Sequence, residues 1–216
     1  MKINLEILRV AKIEANDDTE KISDLNEKSI VADMMLRRRL TRNSRISLYL
    51  ADKLNAFSLP IIIGNSYGEV AETYDILRAI KNRQTVSPTA FQNSVHNTPA
   101  SYISIVGENK GYIATISDSS DTSLAALRLA AIKSFSYDEI LIIITDAINF
   151  DQLSEINKCN ITKKECGVGL VIRQTTKEPT INITMDKIEG YSPSMSDILS
   201  LLNQFASGNS VIEIDF

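Results

Sequence analysis

The serine-rich segment Ser117-Asp-Ser-Ser-Asp-Thr-Ser123 contains the side chains of this 216-residue chain that are best suited to nucleophilic chemistry. A serine hydroxyl attacks an acyl group when a neighbouring base removes its proton. Ser120, assisted by Asp118 and His96, could form such a set. The activity would then be that of an acyltransferase or a hydrolase.

A structural interpretation of the same segment is simpler. The carboxylates of Asp118 and Asp121 disfavour an alkoxide at Ser120, because like charges repel. Serine and aspartate are also the side chains that most often cap helices, and an apolar run starts at Leu124. We therefore expect Ser119, Ser120 or Asp121 to cap that helix.

His96 is the only histidine in the chain. A single histidine is more often a hydrogen-bonded structural residue than a catalyst. The spacing of Cys159 and Cys166 fits neither a zinc site nor a redox pair, so we expect two reduced thiols and no metal. The glycine pairs at 64/68 and 167/169 lack the spacing of nucleotide-binding loops, which leaves no cofactor predicted.

Five arginines lie close together in an otherwise acidic protein of formal net charge −4: Arg37, Arg38, Arg39, Arg42 and Arg45. Such a run is usually a solvated helix face that pairs with local carboxylates. The alternative is a docking surface for an acidic partner, since the planar guanidinium binds carboxylates and phosphates well.

The overall composition indicates one soluble domain over residues 1–216, with 44% hydrophobic and 23% charged residues. The acidic net charge argues against a nucleic-acid-binding protein, which normally has a basic face. No apolar run approaches the ~18 residues that span a membrane, and the first residues lack a signal-peptide pattern. We therefore expect a cytoplasmic protein without a membrane span.

The elements that must position these side chains alternate between strands and helices. Strands are predicted at 3–15, 60–63, 111–117, 140–145, 167–173, 180–185 and 211–216, and helices at 34–57, 69–82, 124–135 and 194–206. Segments 167–173 and 180–185 are expected to pair with each other. The alternation predicts an α/β domain with a mostly parallel sheet. Helix 124–135 is apolar on nearly all sides and should need cover from outside this chain.

Five segments, taken together, resemble the first half of a β-ketoacyl synthase: Leu36–Arg42, Ser87–Phe91, Ser94–Asn97, Ser117–Ser123 and Gly167–Arg173. Their order and spacing are most similar to those of the chain length factors that accompany ketosynthases in aryl polyene and type II polyketide pathways. The resemblance spans roughly residues 34–173. It implies an α/β thiolase-like half-fold with a mostly parallel, mixed sheet and helices on both faces.

The resemblance places Ser120 where a ketosynthase has its nucleophilic cysteine. Ketosynthases also use two histidines from their second half, and no histidine follows His96 here. The family likeness therefore implies a non-catalytic subunit that pairs with a full-length ketosynthase and shapes its acyl tunnel. A self-associating protein without such a partner is a further alternative.

The same likeness implies two contact surfaces. The interface and tunnel side would be formed by Phe91, Val95, His96, Asn97, Tyr102, Tyr112, Ile113, Ala114 and Ile116. Strand 112–116 would pair there with its counterpart in the partner. The arginines Arg37, Arg38, Arg39 and Arg42 would dock an acidic acyl carrier protein.

Overall fold

The computed structural model describes residues 1–16, 21–147, 165–183, 188 and 191–216. These ranges contain six strands, eight helices and a 3₁₀ turn at Ser119–Asp121. The strands are β1 Lys2–Glu14, β2 Ile61–Gly64, β3 Ile113–Ile116, β4 Ile140–Asp146, β5 Cys166–Gln174 and β6 Val211–Asp215. The helices are α1 Glu27–Ile30, α2 Met34–Arg39, α3 Arg42–Lys53, α4 Val70–Lys81, α5 Pro88–Asn93, α6 Thr98–Val106, α7 Thr122–Lys133 and α8 Pro193–Ala206.

The strands form one sheet in the order β3-β2-β4-β5-β1-β6. Strand β2 pairs parallel with β3 and β4, whereas the β4–β5, β5–β1 and β1–β6 pairs are antiparallel. The predicted mixed α/β sheet is therefore confirmed, but the expected predominance of parallel pairing is wrong. Parallel neighbours need a helical crossover. Helices α4–α6 and α7 supply such crossovers for β2, β3 and β4 alone.

Helices cover both faces of the sheet, as predicted. On one face α3 and α6 bury Ile46, Leu50 and Ile103, and on the other face α7 and α8 form a second core. Gly167 in β5 allows α3 to lie close, because a Cβ there would be 2.3 Å from Ile46 Cγ2. Every residue of β4 is buried, as expected for a central strand.

The single helix predicted at 34–57 is two helices, because the chain is extended at Leu40 and Thr41. The Thr41 hydroxyl accepts a hydrogen bond from the Ser44 N–H at 3.1 Å and so caps α3. The same hydroxyl donates to a carboxylate oxygen of Glu69 at 2.7 Å. The local cap by Thr41 thus begins the second helix, and the hydrogen bond to Glu69 fixes the capping side chain.

The predicted pairing of segments 167–173 and 180–185 is also wrong. Strand β5 lies between β4 and β1, and Ile181 instead forms an isolated parallel bridge with Ile212 of β6. Positions 184 and 185 lie outside the described residues. Segment 180–185 has the composition of a strand, but the strand beside Ile181 is β6, the last strand of the sheet.

Helix α7 has one buried face rather than cover on all sides. Ala126, Leu127, Ala130 and Ala131 are buried, whereas Ile132 is 49% exposed. Part of the cover comes from this chain itself, because Ser123 makes buried hydrogen bonds to Ser194 at the start of α8. None of the described segments covers the side of α7 that carries Ile132.

Candidate functional site

The serine-rich segment forms a tight turn between the end of β3 and the start of α7. Ser119 adopts a left-handed conformation with φ of 46°, which is uncommon outside glycine. The Asp121 N–H donates to the Asp118 carbonyl at 2.8 Å, and the Thr122 hydroxyl accepts from the Asp118 N–H at 2.9 Å. Residues 117–121 are exposed, so Ser120 is accessible to solvent in the isolated chain.

The predicted side-chain cap at this turn is wrong. Asp121 stands at the N-cap position of α7 but its side chain makes no capping hydrogen bond. Ser120 Oγ donates weakly to Asp121 Oδ1 at 3.3 Å. The hydrogen bonds of the 3₁₀ turn and of the Thr122 hydroxyl organise the backbone here instead.

His96 makes no hydrogen bond to the serine-rich turn and instead contacts the loop that follows β2, at residues 65–68. Its Nδ1 is 3.0 Å from Asn65 Oδ1, and Asn65 Nδ2 donates to the His96 carbonyl at 3.4 Å. The imidazole also covers Gly68, whose φ is +59° and where any Cβ would lie 2.6 Å from the ring. The hydrogen-bond partner of the histidine is therefore Asn65, not Ser120 or Asp118.

Strand β3 forms one end of the sheet, as the interface prediction requires. It pairs with β2, and all four of its residues are half-buried. Between β3 and α6 runs an open groove of about 620 Å³, lined by Asn97, Ile105, Ile113 and Ala114 among others. Tyr112 and Ile116 flank these positions on the α7 side of the sheet.

The segment before α6 contributes exposed apolar side chains. Phe91 is 69% exposed and Val95 49% exposed. Tyr102, in contrast, is 5% exposed, and its hydroxyl donates 3.1 Å hydrogen bonds to the Arg39 carbonyl and Asn93 Oδ1. Tyr102 therefore packs inward, and its predicted contact with a partner's tunnel is wrong because helix α6 turns it toward the core.

The arginine run divides into two groups. Arg37 donates to the carbonyls of Val31 and Ala32, and Arg45 binds the Glu27 carboxylate at 2.7 Å. These guanidinium groups stabilise the chain itself.

Arg42 is also engaged in the fold. Its Nε and Nη2 bind the two carboxylate oxygens of Glu165 at 2.8 and 2.7 Å, and Nη2 also donates to the Ile22 carbonyl. The Glu165 side chain is only 2% exposed. Arg42 thus neutralises a buried carboxylate, which makes it a poor candidate for docking a carrier protein.

Arg38 and Arg39 are exposed and line a cleft of about 390 Å³ between α2, α4 and α5. Arg78 of α4 lines the same cleft, together with the acidic Glu72 and Asp75. The cleft therefore has mixed charge, with arginines on two of its walls.

Two buried carboxyl groups lie next to the loop that His96 holds, and the sequence indicated the burial of neither. Asp146 accepts hydrogen bonds from the Ser192 hydroxyl and, at 3.0 Å, from the Ser66 N–H. Burial raises the pKa of Asp146 to about 6. Glu69 is 5% exposed, and burial raises its pKa to about 8. The positive end of the helix dipole at the start of α4 favours a negative charge on Glu69, but burial outweighs this effect and favours the protonated carboxyl.

The thiol of Cys166 is free and buried, and burial raises its pKa to about 12. Cys159 lies outside the described residues. Within the described part of the chain no three acidic, histidine or cysteine side chains come together as a metal site. No helix in these ranges is both long enough and apolar enough to cross a bilayer.

Comparison with known proteins identifies the fold. Residues 12–210 match the profile of the β-ketoacyl synthase N-terminal domain. The structure of the ketosynthase ApeO in complex with its chain length factor ApeC, from Xenorhabdus doucetiae, is similar with a TM-score of 0.69 and 19% identity. That match covers 83% of this chain and 85% of the other. No curated protein sequence matches.

Two further solved structures share the architecture. The ishigamide ketosynthase/chain length factor matches with a TM-score of 0.58 and 15% identity, over 71% of this chain and 49% of the other. The AntDE:AntF complex, a type II polyketide acyl carrier protein with its ketosynthase, matches with a TM-score of 0.63 and 14% identity. That match covers 81% of this chain and 63% of the other. These likenesses confirm the predicted ketosynthase half-fold. The chain belongs to the family of β-ketoacyl synthase N-terminal domains.

Proposed function

We propose that this chain is a chain length factor: a non-catalytic subunit that pairs with an active ketosynthase and lines the far end of its acyl tunnel. The observation that carries the proposal is that β3 is the edge strand of the sheet formed by the described residues and leads directly into the turn containing Ser120. An unpaired apolar edge is a template for another strand. The similar length of the chain matched in the ketosynthase/chain length factor complex supports the same role.

The apolar surroundings of β3 support an interface on both faces of the sheet. Ile105 of α6 is 58% exposed beside the groove on one face. On the other face Lys133 lies over the Tyr112 ring, which puts the open end of α7, with Ile132, at the start of β3. A permanent interface of this kind buries well over roughly 2,000 Å². Phe91, Val95, His96 and Asn97 would extend the contact toward the tunnel.

The chemistry of the turn supports a subunit without condensing activity. The Ser120 hydroxyl contacts Asp121, which disfavours an alkoxide, and His96 is hydrogen-bonded to Asn65. A carboxylate is a weak base for activating a hydroxyl, and the imidazole that could do so is bonded to Asn65 instead. We expect no acyl adduct when the purified protein is held with an acyl-carrier thioester and analysed by mass spectrometry. An acyl-Ser120 species would instead establish the acyltransferase or hydrolase alternative.

Pairing is tested by co-expression with a ketosynthase. Ile113→Asp or Ala114→Asp should abolish the complex and leave insoluble protein, because a charge would enter the strand interface. Phe216→Asp is the matched control, since Phe216 is 48% exposed after β6, at the opposite end of the sheet. A soluble monomeric Ile113 variant beside a fully active ketosynthase would refute the role.

The proposed carrier contact is narrowed to Arg38 and Arg39, because Arg37 and Arg42 are engaged within the fold. The double change Arg38→Glu and Arg39→Glu should weaken binding of an acyl carrier protein strongly at low salt and less at high salt, since exposed charges are screened. Lys28→Glu, also exposed, is the control. If the double variant and wild type bind the carrier protein with equal affinity at low salt, Arg38 and Arg39 do not dock it and are simply solvated surface residues.

A further inference from the structure

Helix α4 lies on the outside of the domain and turns apolar side chains toward solvent. None of its residues is buried, and Leu77 and Ile80 are 60% and 59% exposed. The two residues are three positions apart, so they share one face of the helix. They stand outside the cleft of about 390 Å³ beside α4, which is lined instead by Ile76 and Ala79. Packing within the described part of the chain therefore does not explain this exposed apolar pair.

The charge around the pair is positive. Arg78, Lys81 and Arg83 are all exposed, in or just after the last turn of α4. No acidic residue lies between Asp75 and Glu108, although the chain has 27 acidic residues and a formal net charge of −4. Cations at the C-terminal end of a helix stabilise its dipole. The dipole accounts for the cations but not for the exposed aliphatic side chains beside them.

The cations border the apolar pair on several sides. Lys81 is four positions after Leu77, so it lies on the same face of the helix. Arg83 follows the helix in a left-handed conformation with φ of 54°, and its N–H donates to the Ile80 carbonyl at 3.0 Å. This tight turn keeps Arg83 beside the last turn of α4. Arg78 flanks the face on the side of the cleft.

We propose that this outward face of α4 binds an anionic lipid surface. The face, which we name the α4 surface, consists of Leu77, Arg78, Ile80, Lys81 and Arg83. A helix with aliphatic side chains among cations lies in the plane of a membrane, where the aliphatic groups enter the headgroup region. The cations are attracted to the negative lipid headgroups. A lipid surface needs no matching groove on the protein, which suits a convex helix face.

This inference goes beyond the proposed function and does not rest on it. Arg38 and Arg39, the proposed carrier contact, belong to α2 on another wall of the cleft. Strand β3, the proposed ketosynthase contact, contains no residue of the α4 surface. Variants of the α4 surface therefore test lipid binding while these two contacts keep their wild-type residues.

The test is co-sedimentation of the purified chain with two kinds of vesicle: phosphatidylcholine alone, and an equal mixture of phosphatidylcholine and phosphatidylglycerol. Wild type should sediment with the mixed vesicles and stay in solution with phosphatidylcholine alone. High salt should weaken the binding, because it screens exposed charges. Lys81→Gln with Arg83→Gln should weaken it about thirtyfold, since each cation near an anionic surface contributes about fivefold. Leu77→Ser with Ile80→Ser should weaken it about tenfold, through lost apolar burial.

Arg128→Gln with Phe216→Ser is the matched control, because both side chains are exposed and lie at the end of β6 instead of on α4. This control should bind the mixed vesicles as wild type does. A wild type that sediments equally with both kinds of vesicle, or with neither, overturns the inference, and so do α4 variants that bind as wild type does.

Two outcomes separate this inference from the other proposals. If Lys81→Gln with Arg83→Gln loses affinity for an acyl carrier protein and wild type does not bind the mixed vesicles, the α4 surface docks that protein and the lipid inference is wrong. A chain that binds the mixed vesicles through these residues but pairs with no ketosynthase supports the inference and refutes the proposed function alone.

Discussion

Replacing Glu69 by glutamine should stabilise the protein, although it removes a hydrogen-bonded carboxyl group. Glu69 is 5% exposed and directly precedes α4, and one of its oxygens accepts a hydrogen bond from the Thr41 hydroxyl at 2.7 Å. Burial, aided by the nearby carboxylate of Glu72, raises its pKa from 4.5 to about 8. Glutamine keeps the acceptor for Thr41 and cannot ionise.

The magnitude follows from proton linkage. Between pH 4.5 and about 8 the folded state binds a proton at Glu69 that the unfolded state has released. The free energy of unfolding therefore falls as pH rises through this window, by up to about 1.4 kcal/mol per pH unit. The destabilisation caused by ionising Glu69 is absent below pH 4.5, reaches about 3 kcal/mol at pH 7, and is nearly complete above pH 8.

Urea unfolding at pH 6, 7 and 8 tests this expectation. Asp146, whose pKa is raised from 3.8 to about 6, is half ionised at pH 6, and completing its ionisation lowers the free energy of unfolding of both proteins by only about 0.4 kcal/mol more. Wild type should lose about 2 kcal/mol between pH 6 and 8, whereas Glu69→Gln should lose much less. Glu178→Gln, an exposed control, should follow wild type. A Glu69→Gln protein that keeps the wild-type slope, or is less stable than wild type at pH 7, would refute the reasoning.

Three further outcomes are expected from urea unfolding. Gly167→Ala should cost about 1–3 kcal/mol, because its Cβ would lie 2.3 Å from the branched side chain of Ile46; a neutral effect would mean that α3 shifts freely. Arg42→Gln should cost about 3 kcal/mol or more, since it leaves the buried Glu165 carboxylate unpaired, and a loss under about 1 kcal/mol would contradict that account. Tyr102→Phe should cost about 1 kcal/mol and leave pairing with a ketosynthase unchanged, whereas loss of the complex would restore Tyr102 to the interface.

Local sequence signals predicted most elements but not the contacts between them. The β-branched run before Gly64 and the apolar run after position 139 became the buried strands β2 and β4, because such composition is sufficient for a central strand. The antiparallel pairing of β1 with β5 and β6 was not predictable, because it depends on the position of β1 between these two strands, which are distant in sequence. The break at Thr41 was missed because the apolar periodicity continues across it, although Thr41 is itself a residue type that caps helices.

The candidate site shows the same division. The turn at Ser120 and the edge position of β3 were located through the family resemblance, whereas the exposure of the turn was not predicted. The role of Arg42 was missed because its partner, Glu165, is separated by 123 positions. Tyr102 was misplaced because sequence spacing could not tell which side of α6 faces the core.

The far end of the sheet is closed in a way that β3 is not. The Thr180 and Ile181 N–H groups both donate to the Val211 carbonyl, so a loop covers the start of β6. Along the rest of β6, Glu213 and Asp215 form ion pairs with Lys2 of β1, so this part of the edge carries charged side chains. A sheet with two adhesive edges would add copies without limit and grow into a filament. If only one edge can pair with another strand, the assembly is complete once one further subunit has bound there. The asymmetry between the two ends of the described sheet would limit an assembly built on β3 to pairs.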